Sequence, residues 1–309
     1  MTARGVMVGL AQRAPLPIGD SLEPFRADVA VTLEEHPEIG MLVYPEMHLH
    51  DAGHLPEAER ADALEAAAVP LDDPFVAALG EIAAAHGIWL VPGSIGERSD
   101  EGYFNTELLF DPRGALRARY RKMFPWRPFE PHRPGTEFVV TELAAESPHL
   151  AAESPHLGAV GLSNCYDAWF PEHTRQLAWL GADLVVNVVK TTSHDREQEL
   201  VLARANAIVN QVYVLSVNCA APTGRGRSIA VDPEGWVLGE AGLGEDTLVV
   251  HYDPERVARV RRTGTGGTNR LWAQFSPDDE PVPLPMYGGR IDPARWAPRS
   301  PIGPPAPPA

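Results

Sequence analysis

The chain has 309 residues, 44% of them apolar, enough to bury a large core in one big domain or two modest ones. Asp and Glu number 42 against 26 Lys and Arg, and the formal charge of -16, with no compact basic block to offset it, argues against nucleic-acid and membrane partners. The opening MTARGVMVGLAQRAPLPIGD is too short in apolar run for a signal segment, nowhere do eighteen apolar residues run together, and two cysteines make no disulfide framework, so the expectation is a cytoplasmic protein with free thiols at Cys165 and Cys219.

Short β-rich runs alternate with amphipathic ones. GVMVGLA (5–11) and GMLVYP (40–45) read as strands flanking a helical segment near 24–36, and PFVAALGEIAAAHG (74–87) reads as a helix ended by Gly87 before a strand IWLVPGSI (88–95). YFNTELLF and ALRARYRK surround the turn DPRG, so 103–122 is expected to be a hairpin that delivers Lys122 at its end. GAVGLSN (158–164) reads as a strand, PEHTRQLAWLG (171–181) as a helix, ADLVVNVV (182–189) as a buried strand, REQELVLARANAIVNQ (196–211) as a long helix and VYVLSVNCA (212–220) as a strand. A second β-turn-β pattern surrounds DPEG (232–235). Crossovers mixed with hairpins predict a layered α/β fold with helices on the outer faces of sheets.

AAESPHL occurs at 144–150 and again at 151–157. Two copies of seven residues cannot form a solenoid, and loops accept insertions because closure entropy grows only logarithmically, so the repeat reads as a tolerated duplication in a loop. From Pro277 onward the last 33 residues hold eleven prolines, which rules out a regular helix or central strand. The expected division is therefore one domain over 1–276 and a Pro-rich tail over 277–309.

Three strand ends carry polar residues that could meet. VYPEMH places Glu46 just past a buried strand, where open α/β sheets present ligand-facing groups. YRKMFPWRPFE places Lys122 at a strand end and Glu130 eight residues later, in a segment where Pro125 and Pro128 forbid a helix. GLSNCYDAWFPE puts Cys165 at a strand-turn-helix elbow, a geometry that exposes a side chain and aims backbone N–H groups at negative charge. Taken singly, Cys165 reads more readily as a packed small hydrophobe than as a nucleophile, and Glu46 can be read as a capping carboxylate, Lys122 as a solvated hairpin residue and Glu130 as a rim charge. Cys219 ends an apolar strand and reads as structural. His48, His50 and His54 lack a matched acidic pattern, so no metal is expected. Arg261-Arg262 and the Gly/Thr run after them lack the strand-loop-helix context and the lysine of a phosphate loop.

Taken together, these motifs resemble the nitrilase superfamily of carbon–nitrogen hydrolases over roughly residues 5 to 252. The resemblance implies a four-layer α-β-β-α sandwich with Glu46, Lys122 and Cys165 at strand ends. KMFPWRPFEPHRPG is similar to the aliphatic amidase and formamidase branch, which carries a second-glutamate role to Glu130; CYDAWFPE is more like the carbamoylase and general amidase branches. The implied chemistry has Cys165 attack a carbonyl carbon, Glu46 move the proton, Lys122 and the backbone N–H of Tyr166 hold the oxyanion, and Glu130 hold the substrate nitrogen and Lys122. No metal or organic cofactor is implied, and the partners implied are a small-molecule amide or carbamoyl substrate and a second copy of the chain, paired through segment 169–181. Trp126, Phe129, Trp169, Lys190 and Thr191 are expected substrate contacts, with Thr192 and His194 as further candidates. Three readings stay open: a primary amide or N-carbamoyl hydrolase, a nitrilase, and an inactive binding protein. NVVKTTSHDRE departs from the small-residue and aromatic run of many relatives, so the substrate does not transfer by analogy.

Overall fold

Runs of consecutive apolar residues build two sheets that are buried on both sides. The structure, a computed structural model, describes residues 5–144, 156–284 and 289–291. Its strands are β1 (Val6–Gln12), β2 (Ile39–Val43), β3 (Trp89–Val91), β4 (Ser94–Ser99), β5 (Gly102–Phe110), β6 (Leu116–Arg121), β7 (Val140–Ala144), β8 (His156–Asn164), β9 (Leu184–Val189), β10 (Tyr213–Asn218), β11 (Ile229–Val231), β12 (Val237–Glu240), β13 (Asp246–Tyr252), β14 (Val282–Leu284) and β15 (Gly289–Ile291). The helices are α1 (Glu23–Glu35), α2 (Glu57–Ala66), α3 (Pro74–His86), α4 (Pro171–Trp179), α5 (Asp195–Asn210) and α6 (Pro254–Thr263).

One sheet runs β13-β1-β2-β3-β5-β4 with β6 paired to β5, and the other runs β12-β11-β10-β9-β8-β7. In each the central strands are parallel, β1-β2-β3 and β8-β9-β10, and antiparallel strands flank them. Every residue of β2, β9 and β10 is buried, which is why these strands read as unbroken apolar runs instead of alternating ones. Val8, Leu10, Met41 and Val43 of the first sheet meet Val160, Leu162, Val186 and Leu215 of the second in a shared core. Phe25 and Val29 of α1 and Val76, Leu79 and Ile82 of α3 cover the outer face of the first sheet. Leu177 of α4 and Leu200, Ala203 and Ala207 of α5 cover that of the second, giving the α-β-β-α order.

Local sequence explains the boundaries. The Asp73 side chain accepts from Phe75 N to start α3, Pro74 occupies its first turn, and Gly87 ends it at φ 64°, where a Cβ would be strained. IWLVPGSI is one expected strand but two observed ones: β3 ends at Val91 and β4 begins at Ser94 on the far side of β5. Pro92 lacks a ladder donor, and Gly93 at φ 90° passes so close to the Pro45 carbonyl that a Cβ would collide with it. α2, β13 and α6 have no counterpart in the expectations; α2 buries no residue, so it has no apolar stripe to read. Arg261 and Arg262 fall in the last turn of α6, and Arg261 is buried against Asp183 at 3.1 Å, a packing role. The duplicated segment lies mostly in 145–155, outside the described residues, between β7 and β8. In the tail, β14 and β15 pair with each other apart from both main sheets. Among the described residues no helix is long and apolar enough to cross a membrane.

Candidate active site

β2 and β6 of one sheet and β8 of the other each hand over to an irregular segment, and hydrogen bonds bring those segments together. Glu46 follows β2 by three residues, and Met47 after it turns at φ 49°. Lys122 follows β6; its N–H donates to Asn105 O at 2.9 Å, and its carbonyl accepts from Gly135 N at 2.8 Å, so the ladder holds the backbone past the strand end. β8 ends at Asn164, and Cys165 turns at φ 50° into the 3-10 turn Cys165–Trp169, after which Pro171 opens α4. A positive φ at a non-glycine residue is strained, and the surrounding hydrogen bonds hold Cys165 there.

Lys122 is fully buried, and its Nζ donates to Glu46 Oε1 at 2.9 Å and Glu130 Oε1 at 2.6 Å. Asn105 Nδ2 donates to the same Glu46 Oε1 at 2.9 Å. Burial works against the Lys122 ammonium, but the charges of Glu46 and Glu130 reverse that and hold its pKa well above the usual lysine value. For Glu130 burial pushes upward, and Lys122 and His132 overcome it to lower the pKa to about 2; His132 Nδ1 lies 3.4 Å from Glu130 Oε2. The Cys165 residue keeps partial exposure, but its thiol is enclosed by protein. That desolvation, with the charge of Glu46, pushes its pKa well up against the pull of Lys122. The arrangement is thus a neutral thiol beside a carboxylate, an ammonium and a second carboxylate, with the means to take up, hold and return a proton.

Residues 26–262 match the family model described as carbon-nitrogen hydrolase. The chain belongs to the carbon-nitrogen hydrolase family. A formamidase of Pseudomonas syringae pv. tomato is 31% identical over 280 residues, 87% of this chain and 77% of that protein. Among solved structures, Saccharomyces cerevisiae Nit3, a member of branch 10 of the nitrilase superfamily, superposes with a TM-score of 0.71 at 25% identity, covering 86% of this chain and 97% of its own. An amidase variant from Nesterenkonia sp. AN1, with the acetamide moiety of fluoroacetamide covalently added at its active site cysteine, superposes with a TM-score of 0.64 at 25% identity, covering 85% of this chain and 96% of its own.

The other expected contacts of this carbon-nitrogen hydrolase are placed unevenly. Trp126 and Phe129 face each other at 4.3 Å in the segment between Lys122 and Glu130, but they are 40% and 66% exposed, a rim position. Tyr166 and Trp169 lie on the Cys165 turn with ring centroids 5.9 Å apart, and the Tyr166 N–H belongs to the opening of that turn, where helical geometry leaves donors without internal partners. Lys190 Nζ pairs with Asp51 Oδ1 at 2.6 Å, joining the loop after β9 to the loop after β2. Thr191 is buried and its hydroxyl donates to Glu199 Oε1 at 2.6 Å, which commits it to the protein. Burial pushes Cys219 up to about 12 and lowers His48 to about 3 and His50 to about 4. Among the described residues no group of three or more His, Cys, Asp or Glu could hold a metal ion. Clefts of about 390 and about 690 Å³ open elsewhere, beside Arg119, Arg121 and Arg133 and beside Ile208 and Leu271, and none of Cys165, Glu46 and Lys122 lines them.

Asn105, Asn164 and Asp167 were not among the expected site residues. Their signal lies in YFNT and SNCYD, where amides and an acid interrupt otherwise apolar strand ends, but no spacing rule ties these to Glu46 across 59 residues.

Proposed function

We propose that the protein hydrolyses the carbon–nitrogen bond of a small primary amide through a Cys165 thioester. The observation that carries this reading is the convergence of two carboxylates, Glu46 and Glu130, on the buried Lys122 ammonium within electrostatic reach of Cys165. The upward shift of the thiol decides how it must act: the resting group is neutral, so attack needs a base at the moment of reaction. Glu46 takes the Sγ proton as sulfur bonds to the carbonyl carbon. Lys122 and the Tyr166 N–H receive the charge that develops on oxygen. Collapse breaks the C–N bond, Glu46 returns the proton to the departing ammonia, and the acyl group stays on sulfur. A water then gives a proton to Glu46, attacks the thioester and releases the carboxylic acid as sulfur regains its proton. Glu130 holds Lys122 and the substrate nitrogen through charge-assisted hydrogen bonds. The formamidase and amidase relatives support an amide over a nitrile. We further read residues 1–276 as the hydrolase domain, its setting as the cytoplasm and its assembly as a homodimer through segment 169–181.

The test is ammonia release across formamide, short aliphatic amides, ω-amides, N-carbamoyl amino acids and matched nitriles. Wild-type turnover of an amide, and its loss in Cys165→Ala and Glu46→Gln with folding intact, is the expected result. Turnover surviving Cys165→Ala would sink the assignment.

A further inference from the structure

Asn105 stands within β5, is buried, and donates from its side-chain amide to Glu46. The Glu46 carboxylate can only accept, so the Asn105 amide turns its Nδ2 toward it. Asn164 Nδ2 donates to Asn105 Oδ1 at 2.9 Å, which leaves Nδ2 of Asn105 to donate to Glu46 Oε1. Asn164 immediately precedes Cys165, and its backbone N–H donates to Asp167 Oδ2 at 2.9 Å. Asp167 also accepts from Tyr120 OH at 2.7 Å and from Phe124 N at 2.9 Å, residues on either side of Lys122. A circuit therefore runs by hydrogen bonds from the cysteine turn through Asn164, Asn105, Glu46 and Lys122, along the backbone to Tyr120 and Phe124, and through their bonds to Asp167 back to the turn.

The circuit has a chemical consequence. Two donors, Asn105 Nδ2 and Lys122 Nζ, converge on Glu46 Oε1 at 2.9 Å each. A carboxylate oxygen offers about two acceptor sites, so Oε1 is saturated and proton transfer falls to Oε2. We propose that Asn105 is a positioning residue that fixes the Glu46 carboxylate so that Oε2 receives the Cys165 proton, and that couples this orientation to the cysteine turn through Asn164. The inference rests on the assignment of Glu46 as proton acceptor. Asn105 does not touch the reacting atoms, so its loss should slow the chemical step and leave substrate binding alone.

The experiment compares wild type, Asn105→Ala, Asn105→Asp and Glu46→Gln. Two rates are read: ammonia release from the best amide of the panel, and iodoacetamide alkylation of Cys165 at neutral pH, which does not depend on the natural substrate. Both Asn105 variants are expected to lower kcat and the alkylation rate by about 10- to 100-fold, the effect of one lost hydrogen bond to a charged group. KM should stay within about threefold of wild type, because the lost interaction acts only in the chemical step. Asn105→Asp keeps the shape but replaces the N–H donor by oxygen, so it separates donation from packing and carries the comparison if Asn105→Ala fails to fold. Wild-type kcat and alkylation in Asn105→Asp, or a loss confined to KM, would overturn the proposal. If that occurs while Glu46→Gln is inactive, the proton-acceptor assignment stands and only the positioning role falls. If Glu46→Gln turns over like wild type, the underlying mechanism fails instead.

Discussion

Arg196 and Lys122 are both buried cations, and their surroundings differ in kind. Arg196, on α5, directs its Nε to Gly226 O, one terminal nitrogen to Glu199 Oε2 and Ser216 Oγ, and the other to Ser216 O and Arg227 O. Guanidinium has five N–H donors, and all five are used by protein. Lys122 has three, and two carboxylates take two of them, which leaves one donor and an excess of negative charge around it. Burial lowers the pKa of Arg196, whereas the surrounding acids raise that of Lys122 despite burial. A buried cation with exhausted donors holds structure, and one with a donor in reserve can meet a substrate oxygen as charge develops on it.

The largest effects should come from exchanging the two. On the proposed mechanism Lys122→Met removes an oxyanion donor and should cut kcat by about a hundredfold to a thousandfold. Arg196→Met leaves Glu199 buried without its cation and should destabilise the fold by about 3–5 kcal/mol, while the folded fraction keeps most of its turnover. Denaturant titration and active-site-normalised kcat on both variants check this, and the contrast breaks if Arg196→Met unfolds like wild type yet loses kcat.

A smaller effect tests the acid side of the Lys122 cluster. The Glu130 pKa is lowered from 4.5 to about 2, so its contribution to stability is complete above 4.5 and disappears as pH falls toward 2. Glu130→Gln should remove that part of the acid-induced fall in Tm, and melting curves between those pH values would show it. An unchanged Tm–pH slope would mean that Lys122 does not hold Glu130 in the folded protein.

The smallest effect runs the other way. Glu107, two residues after Asn105 on β5, is sealed between the sheets; burial first and the charge of Asp167 second push its pKa well above 4.5. A group with a raised folded pKa contributes full stability below its unfolded value and loses it as pH rises toward the folded one. Glu107→Gln should therefore melt slightly above wild type at neutral pH, with the gap closing as pH drops below 4.5. A variant that melts lower at neutral pH would show Glu107 to be held by a partner as a carboxylate.

The strands, most helices and the Glu46, Lys122, Cys165 series were legible because each rests on a local signal. β2 and β9 show as unbroken apolar runs, α3 shows its cap residues, and Cys165 shows as a polar elbow between strand and helix. IWLVPGSI was misread as one strand because strand propensity does not reveal that Gly93 must pass under Pro45 and cross to the other side of β5. Thr191 reads as a free hydroxyl beside the site until its bond to Glu199 is seen.

Composition and periodicity were enough to predict a layered α/β fold with a glutamate, a lysine and a cysteine at strand ends, and the order of those motifs carried the resemblance to a hydrolase family, since burial pattern, turn chemistry and motif order are written residue by residue. The folded chain had to supply the rest: which oxygen of Glu46 is occupied, that Asn105 occupies it, and that Arg196 is saturated while Lys122 is not. The Glu46 contacts join positions 59 and 76 residues apart and the Arg196 contacts reach up to 31 residues, and partners at such separations are fixed by the order of strands in the sheet and the packing around them, which no local pattern encodes.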